Sequence, residues 1–493
     1  MLRKVVLGAA VAAALAACGT TVPLSSRTAT GDSLGGPLAT TAPGGTTGAL
    51  PVGGTGSTGT APGTTGGSTT GTTGLGGTTG TVGSTGVVAG PGRTLPPLEI
   101  GTYYLNGGNA ALAAAGFAGL VIPDSKPVFD AFIKRINAHG GLAGRRLVPV
   151  YYEYNEGVDG HTQDAAACAT FTQDHHVFLV VGGVNSGAGE LLPCLARHDV
   201  PLIAAATGGD ARFFAQYHRY AYEPFQLNFT AGFRLLISNL KARGYLTSVK
   251  KVGLVQFPGT AYDNAVTDGL VPALHSVGLK LDDRITTGSA TDNSSIATDS
   301  AGAVLKFNTE HIDLVLFLSP GGAPETYFMT AADKQGYKPK YGIWSPDSPY
   351  VLATTAPRTQ LSGAIGVGWV PGLDVATAQD PTASTPAAKA CLAQGRAMGL
   401  DESGLGNPFV RASCDVFNTI LGAVAGDVAA TTSTSVLEKG FDTLGGGVAS
   451  AGGFGIRWVP GHHDAVSGYR FLAYEDSCGC FSYTGPTQQL PRS

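Results

Sequence analysis

The fold of this chain is decided by one stretch, Ile136-Asn137-Ala138-His139-Gly140-Gly141-Leu142-Ala143-Gly144-Arg145-Arg146-Leu147. Apolar residues recur at helical spacing up to this stretch, which predicts one amphipathic helix with a single buried stripe. Its apolar residues are Phe129, Phe132, Ile133 and Ile136. Gly140 and Gly141 predict the end of the helix, because glycine takes the left-handed C-cap conformation without a Cβ penalty.

A strand is predicted directly after this turn, in the run Leu-Val-Pro-Val-Tyr-Tyr at 147–152. Pro149 cannot donate a hydrogen bond to a neighbouring strand, so this strand is expected near a sheet edge. Helix, glycine turn and short strand together predict the return half of a βαβ unit.

Strand and helix patterns alternate along the rest of the chain, beginning with a strand at Leu98. The near-continuous apolar run at 177–181 predicts a parallel strand buried on both faces, and 312–318 is predicted as another buried strand. Further strands are predicted at 200–205 and 251–257. Such alternation predicts an α/β fold with parallel sheets. The units are too many for one sheet, so we expect two lobes.

The overall composition argues against some classes of partner. The chain has 493 residues, enough for two or three domains of roughly 100–200 residues each. Its 31 Lys and Arg residues nearly balance its 35 Asp and Glu residues, giving a net charge of −4. Nucleic acid is therefore not expected as a partner, and no polybasic patch for a membrane surface is present in the sequence.

The N-terminus predicts export and a lipid anchor. A positive start is followed by a short apolar core at 5–14, too short to span a membrane. The next residues, Leu15-Ala16-Ala17-Cys18-Gly19, resemble the bacterial lipobox, which implies a signal peptide over 1–17 and lipidation of Cys18. An ordinary signal peptide with a coincidental cysteine is the alternative. Residues 18–95 are rich in Gly, Thr and Ser, so we expect a disordered tether.

Several segments, in this order, resemble periplasmic binding proteins of the branched-chain amino acid (Leu/Ile/Val) type. They are the form IN-x-x-GG-x-x-G-x-x-L, then KKVGLVQ at 250–256, YDNAVTDGLVPALHSVGLKL at 262–281, and IDLVLFLSPGGAPETYFMTAADKQGYKPKYGIW at 312–344. The resemblance implies a periplasmic binding protein type I fold: two Rossmann-like lobes, each a parallel sheet flanked by helices, joined by a three-crossover hinge. It places lobe 1 at 98–223 plus 350–448 and lobe 2 at 226–348 plus 450–484.

In function, the resemblance implies a solute-binding lipoprotein of an ABC transporter. Such a protein captures a small polar ligand, an amino acid or a related amide or carboxylate, between its lobes and delivers it to an ABC permease. The same fold also suits a ligand-sensing or cell-wall-associated lipoprotein without a transport role.

In open α/β sheets, ligands bind beyond the carboxyl ends of the strands. Asn185, Ser186 and Gly187 follow one predicted strand of lobe 1, and Thr207 and Gly208 follow another. Hydroxyls and accessible backbone N–H groups suit a carboxylate there. The family resemblance implies that these two loops bind the carboxylate and amino groups of the ligand. Alternatively, the two hydroxyls serve only as helix N-caps.

Further candidates extend the expected cleft. In lobe 2, the resemblance implies a cleft-facing tyrosine at Tyr262. Glu325 follows Gly321 in a loop after a strand and could accept an ammonium group, or could be a solvated residue in the first turn of a helix. Tyr103 and Tyr104 end the first strand, where one could line the cleft and the other belong to the core.

Six cysteines remain after Cys18, and an even number in an exported protein favours disulfides. Two pairs lie on neighbouring predicted helices and could meet, whereas the third pair forms either a tight local bridge or two partners for distant thiols. The pairs are Cys168 and Cys194, Cys391 and Cys414, and Cys478 and Cys480.

Neither a metal site nor catalysis is expected. The adjacent histidine pairs 175–176 and 462–463 have no nearby cysteines, so we expect surface histidines and no metal. From Leu98 onward the sequence has no G-x-S-x-G elbow, no G-x-x-x-x-G-K-[ST] loop and no H-E-x-x-H helix. The chain is therefore expected to bind a ligand without a cofactor and without enzymatic activity.

Overall fold

The computed structural model describes residues 95–490 except 107, 115–120, 122, 156–157, 185–188, 207, 289–292, 426–432 and 447. The expected signal peptide, Cys18 and almost all of the tether lie outside the described residues. Within them the chain forms two sheets that are mostly parallel, as the alternating pattern predicts.

Sheet 1 has the strand order β2-β1-β3-β4-β5, and sheet 2 has the order β12-β11-β10-β9-β8-β6-β7. The strands of sheet 1 are β1 (Leu98–Asn106), β2 (Leu147–Asn155), β3 (Leu179–Val184), β4 (Leu202–Ala206) and β5 (Ala221–Tyr222). The strands of sheet 2 are β6 (Val252–Gln256), β7 (Leu281–Thr286), β8 (Leu314–Leu318), β9 (Lys340–Trp344), β10 (Ile365–Gly368), β11 (Gly468–Glu475) and β12 (Cys480–Gln489). The antiparallel pair β11–β12 and the short β5 have no counterpart among the predicted strands.

Helices flank both sheets. The first half of the chain supplies α1 (Gly108–Ala114), α2 (Ser125–Ala138), α3 (Gly160–Ala169), α4 (Leu191–Arg197), α5 (Ala211–Gln216), α6 (Phe229–Ala242), α7 (Thr260–Ala265) and α8 (Val271–Ser276). The remainder supplies α9 (Asn293–Glu310), α10 (Ala323–Lys334), α11 (Pro349–Thr355), α12 (Arg358–Leu361), α13 (Pro371–Asp374), α14 (Pro386–Ala397), α15 (Gly406–Val424) and α16 (Thr434–Leu444). π-Helical turns at Thr170–Asp174 and Val266–Leu270 extend α3 and join α7 to α8.

The turn between α2 and β2 explains the glycines of the deciding stretch. Gly141 has φ +77°, and its N–H closes the helix by donating to the Ile136 carbonyl at 2.9 Å. A Cβ at Gly141 would lie 2.1 Å from the Arg145 carbonyl oxygen, so the turn excludes any side chain there. The Asn137 amide then clamps helix to strand, because it donates to the Leu147 carbonyl and accepts from the Leu147 N–H (2.8 and 2.7 Å).

The two faces of this βαβ unit match their predicted environments. The apolar stripe of α2 is buried, and Phe132 stacks on Phe417 of α15 with ring centroids 4.9 Å apart, a contact that contributes about 1 kcal/mol beyond area burial. Strand β2 with Pro149 is the edge strand of sheet 1, which confirms the prediction made from the missing N–H.

Each sheet, with the helices packed on it, forms one lobe. Two lobe boundaries in the structure differ from the expected ones. Strand β10 pairs in parallel with β9, and Leu352, Leu361 and Val375 are buried in the core of sheet 2. The chain therefore returns to lobe 1 after Val375 rather than at 350. The segment from Ala451 to Ala465 packs in the lobe 1 core, not in lobe 2. In both places, packing of apolar side chains determines the lobe to which the segment belongs, and the local sequence pattern does not reveal that packing.

The chain first crosses between the lobes near Glu223 and crosses for the third time near Asp464, and these two segments run side by side. The Glu223 N–H donates to the His463 carbonyl, and the Ala465 N–H donates to the Glu223 carbonyl, both at 2.8 Å. The Asp464 carboxylate accepts from the backbone and side-chain N–H groups of Asn228 (3.0 and 2.9 Å). These hydrogen bonds hold the two crossing segments of the hinge together.

The middle crossover is held by a buried arginine. Arg411 of α15 is 1 % exposed, forms an ion pair with Asp380, and donates to Thr382 on the crossover and to the Ala451 carbonyl (2.6 Å for the latter). Removing one partner of a buried ion pair leaves an uncompensated charge, so this cluster is sensitive to truncation.

The six cysteines form three disulfides: Cys168–Cys194, Cys391–Cys414 and Cys478–Cys480. The expectation of a surface histidine is wrong for His463, which is fully buried. Its ring stacks on Tyr222 at 4.4 Å, and its Nε2 lies 3.1 Å from an Asp442 carboxylate oxygen.

Candidate functional site

A cavity of about 460 Å³ lies between the lobes. It opens beyond the carboxyl ends of β4 and β6, the position at which parallel α/β sheets present ligand sites. Lobe 1 contributes Gly189, Pro193, Asp210, Arg212, Phe213, Gln216 and Tyr217, and lobe 2 contributes Phe257, Pro258, Gly259, Thr260, Ala261, Tyr262 and Asn264. Both lobes therefore offer contacts to an occupant of the cavity.

In the loop after β4, aromatic rings pack directly against the backbone of two glycines. Gly208 has φ +78°, and a Cβ there would lie 2.9 Å from Cζ of Phe229. At Gly209 a Cβ would lie 2.3 Å from Cδ1 of Phe213. The Gly209 carbonyl also accepts from the Phe229 N–H at 2.9 Å, which ties this loop to the first helix of lobe 2. Asp210 then caps α5 by accepting from the Phe213 N–H at 3.1 Å.

Tyr262 lines the lobe 2 wall of the cavity. Its ring stacks on Phe229 at 5.6 Å and meets Phe257 edge-on at 6.4 Å, and only 5 % of the residue is exposed. Burial raises the pKa of the phenol to about 12, and the hydroxyl, protonated at neutral pH, can donate a hydrogen bond.

An ion pair joins the two lobes beside this cavity. The Arg212 guanidinium of α5 donates from Nε and Nη2 to the two carboxylate oxygens of Asp268 in lobe 2 (2.6 and 2.8 Å). The hydrogen bond and charge of Arg212 lower the pKa of Asp268. Arg234 donates to the carbonyl of Asp268 at 2.7 Å, which fixes the turn that carries the carboxylate. The pair is exposed, so its effect is screened by salt.

Four of the predicted ligand-binding residues lie outside the described residues: Asn185, Ser186, Gly187 and Thr207. Asp164 of α3 fixes the chain just before α4. Its carboxylate accepts from the Glu190 N–H at 2.8 Å and from the Tyr154 hydroxyl at 2.7 Å. A Cβ at Gly189 would lie 2.2 Å from that carboxylate. No local pattern singled out Asp164, because its role depends on contact with a loop distant in sequence.

Glu325 lies inside lobe 2 rather than on the cavity wall. It is 0 % exposed, and its Oε1 accepts from the Ser319 hydroxyl at 2.7 Å. Asp347 is buried as fully, and burial together with the charge of Glu325 raises the pKa of the Asp347 carboxyl. Burial raises the pKa of Glu325 to about 8. In this structure Glu325 has no surface to offer an ammonium group, and Gly321 likewise is not among the cavity residues.

The two tyrosines at the end of β1 differ in environment. Tyr103 is buried, and its hydroxyl lies 2.2 Å from where a Cβ at Gly182 would be, so it fills the core beneath a bare backbone. Burial raises its pKa. Tyr104 instead donates to Glu153 on the neighbouring strand at 2.7 Å. Neither tyrosine is a cavity residue.

Helix α5 and its C-cap residue supply four cavity residues that were not predicted from the sequence: Arg212, Phe213, Gln216 and Tyr217. The available signal was the cluster of aromatic residues at 213, 214 and 217, shortly after the capping residue Asp210 and close behind the predicted ligand loop. That run supports an aromatic wall only when lobe 2 is opposite to it, which the local sequence does not reveal.

Among the described residues, one group has metal-ligand spacing, namely Cys168, Cys194 and His198. Its two cysteines are joined in a disulfide, so they present no thiolate to a metal. No helix in the described part of the chain has the length and apolar character to cross a membrane.

Comparison with known proteins gives the family. The profile described as periplasmic binding protein matches residues 113–402, more than half of the chain. The chain belongs to the periplasmic binding protein family, and the two lobes have the type I fold of that family. No curated protein sequence matches the chain.

Solved structures share the fold at low identity. One is a solute-binding protein of an ABC transporter from Rhodopseudomonas palustris BisB5, in complex with 3,4-dihydroxybenzoic acid (14 % identity, 80 % of this chain and 97 % of that chain covered, TM-score 0.55). Another is a branched-chain amino acid ABC transporter protein from Thermus thermophilus with bound valine (13 % identity, 80 % of this chain and 97 % of that chain covered, TM-score 0.56). A third is a possible leucine/isoleucine/valine-binding protein from Rhodopirellula baltica SH 1 (13 % identity, 82 % of this chain and 98 % of that chain covered, TM-score 0.56).

Proposed function

We propose that the chain is an extracytoplasmic solute-binding lipoprotein, anchored through Cys18, that closes on a small ligand and delivers it to an ABC permease. The observation that carries the proposal is the cavity whose walls come from both lobes, at the carboxyl ends of β4 and β6. A ligand that contacts both walls favours the closed form over the open form by its differential contacts.

The chemistry of the cavity supports a small carboxylate with an apolar body, an amino acid or a related acid or amide. Phe213, Tyr217, Phe257 and Tyr262 supply ring surface, and the Tyr262 hydroxyl is a polar group that can orient the ligand. The volume is within the range of small-molecule sites, roughly 300–1,000 Å³. The ligands named for two relatives, valine and 3,4-dihydroxybenzoic acid, have this character.

The loops 185–187 and 207–208 belong to the proposed site because each follows a strand of lobe 1 whose carboxyl end points to the cavity side. We propose that the Ser186 and Thr207 hydroxyls bind the carboxylate, together with backbone N–H groups of the same loops. The acceptor for an ammonium group is left to residues other than the buried Glu325.

A thermal-shift screen with amino acids, amides and aromatic acids tests this function. A ligand at 100 times its Kd stabilises the protein by about 2.7 kcal/mol. We expect the shift to be lost in Tyr262→Leu and in Ser186→Ala or Thr207→Ala, and kept in Tyr245→Leu, a matched change in lobe 2 at a residue outside the cavity lining. A tight ligand that binds all four variants equally would place the site elsewhere.

Lipid labelling of the expressed chain tests the anchor. The label is expected on the wild-type protein and not on Cys18→Ser, while ligand binding is unchanged because the fold begins after the tether. Labelling that survives the substitution would contradict the assignment of Cys18.

A further inference from the structure

The three disulfides lie in different surroundings. Cys391 and Cys414 are 3 % and 1 % exposed, so their bridge lies within the lobe 1 core. Cys168 is 0 % exposed, whereas its partner Cys194 is half-buried. Cys478 is an exposed residue at the tip of the β11–β12 hairpin. Since thiol–disulfide exchange needs access of a thiolate to a sulfur, the hairpin bridge is the most open of the three to attack in the folded protein.

The hairpin bridge also contributes little to stability. Its cysteines are separated by 2 positions, against 26 and 23 for the other bridges, so it closes almost no loop in the unfolded chain. The hairpin is held independently of it. Leu472 and Phe481 are buried side chains of the two strands, and the Gly479 N–H donates to the Glu475 carbonyl at 2.9 Å. The fold therefore tolerates both the bridged and the open state.

A cation lies against the residue between the two cysteines of this bridge. Gly479 has φ +63° and is buried, and a Cβ there would lie 2.4 Å from Cζ and 2.7 Å from Nη2 of Arg358. The guanidinium thus covers the residue between the two cysteines, and it stays protonated at any physiological pH. A nearby cation lowers the pKa of a thiol and makes it a better leaving group. The preceding acids, Glu475 and Asp476, accept from serine hydroxyls at 3.3 and 2.9 Å.

We propose that Cys478–Cys480 is a thiol–disulfide exchange site whose substrate is a low-molecular-mass thiol. The substrate thiolate attacks Sγ of Cys478 and forms a bond to it. The Cys478–Cys480 bond breaks, and its electron pair leaves on Sγ of Cys480 as a thiolate, one residue from the Gly479 that Arg358 covers. A second substrate thiolate attacks the mixed disulfide, which releases the oxidised substrate disulfide and the Cys478 thiolate. The bridge is reduced by two electrons, two thiols are oxidised, and the reverse sequence re-forms the bridge.

The first test uses the full-length chain in its native state. The protein is titrated with reduced glutathione, quenched with an alkylating reagent, and read by peptide mass spectrometry at each of the six cysteines. We expect Cys478 and Cys480 to be alkylated at a thiol concentration at least about tenfold lower than the other four, without a change in thermal unfolding. If all three bridges open together, or if the hairpin bridge opens only on unfolding, the proposal is overturned.

Two sets of variants test the chemistry. Cys480→Ser leaves Cys478 unpaired, and it should gain one glutathione on incubation with oxidised glutathione; failure to form this adduct contradicts attack at Cys478. Arg358→Met should slow bridge opening several-fold, and Arg358→Lys should restore most of the rate, because the charge and not the shape acts. The matched control is Arg470→Met on the same hairpin, whose guanidinium donates to the Gly485 carbonyl. Equal rates in all three arginine variants would remove the role of Arg358.

Discussion

The loops after β4 and β8 both follow buried parallel strands, yet only the loop after β4 borders the cavity. After β8 the neighbouring loop folds over it: the Gly321 N–H donates to the Pro346 carbonyl at 3.0 Å, and a Cβ at Gly322 would lie 2.9 Å from the Asp347 carbonyl oxygen. After β4 the neighbouring strand β5 has two residues, and the loop faces lobe 2 instead. In this fold, the loop after a strand can contribute to a ligand site only where no neighbouring loop of the same lobe covers it.

The largest effect is expected from alanine at the two left-handed glycines of these loops. Gly208→Ala adds backbone strain and a contact with Phe229, and should cost about 2–3 kcal/mol of unfolding free energy and weaken ligand binding. Gly321→Ala, with φ +111° and open space around the new Cβ, should cost about 1 kcal/mol and leave binding unchanged. Chemical denaturation with ligand titration measures both; equal effects would contradict the difference between the loops.

A second test concerns the buried carboxyl pair behind the covered loop. Burial raises the pKa of Glu325 to about 8 from an ordinary value of 4.5, so the folded state keeps a proton that the unfolded state has lost. The stability it contributes is complete below about pH 4.5 and is lost as the pH rises to about 8. The slope is at most about 1.4 kcal/mol per pH unit for one proton.

Denaturation of Glu325→Gln across this range should give a flatter pH profile than the wild type, because glutamine does not titrate. Asp333→Asn, at an exposed position on the same helix α10, is the matched control and should keep the wild-type slope. The substitution at Glu325 should not alter ligand affinity. A loss of affinity would return Glu325 to the binding site.

The smallest effect is expected from the ion pair beside the uncovered loop. Arg212→Met and Asp268→Asn should change the melting temperature less than the substitutions above, because Arg212 is exposed and Asp268 partly exposed, so the pair is screened. They should weaken ligand binding modestly and reduce its dependence on salt, since the pair joins the two closed lobes. The double variant should match each single variant; additive losses would show that the two residues act separately.

Much of this architecture was predictable from local sequence. The α2–turn–β2 unit has an apolar stripe at helical spacing, glycines where a left-handed turn is needed, and a proline that requires an edge strand. Each of these signals depends on residues close in sequence. The boundary near Val375, by contrast, follows from strand β10 joining β9 across the sheet, and no neighbouring residue announces it.

The site divides in the same way. Tyr262 was expected as a wall residue from the family resemblance, at the opening of a helix after a strand. Glu325 satisfied the same local rule, but the fold buries it against Asp347. Arg212 and Phe213 of α5 were missed, because their importance arises from the lobe that faces them.

The sequence by itself determined the α/β class, most of the parallel strands with the helices between them, and the positions at which loops could offer ligand contacts. These properties depend on side-chain periodicity and on the backbone preferences of glycine and proline, which act over a few residues. The tertiary structure alone decided which strand end stayed open, which carboxylate was buried and which aromatic rings formed the walls. Those outcomes depend on packing between segments distant in sequence, which local patterns do not encode.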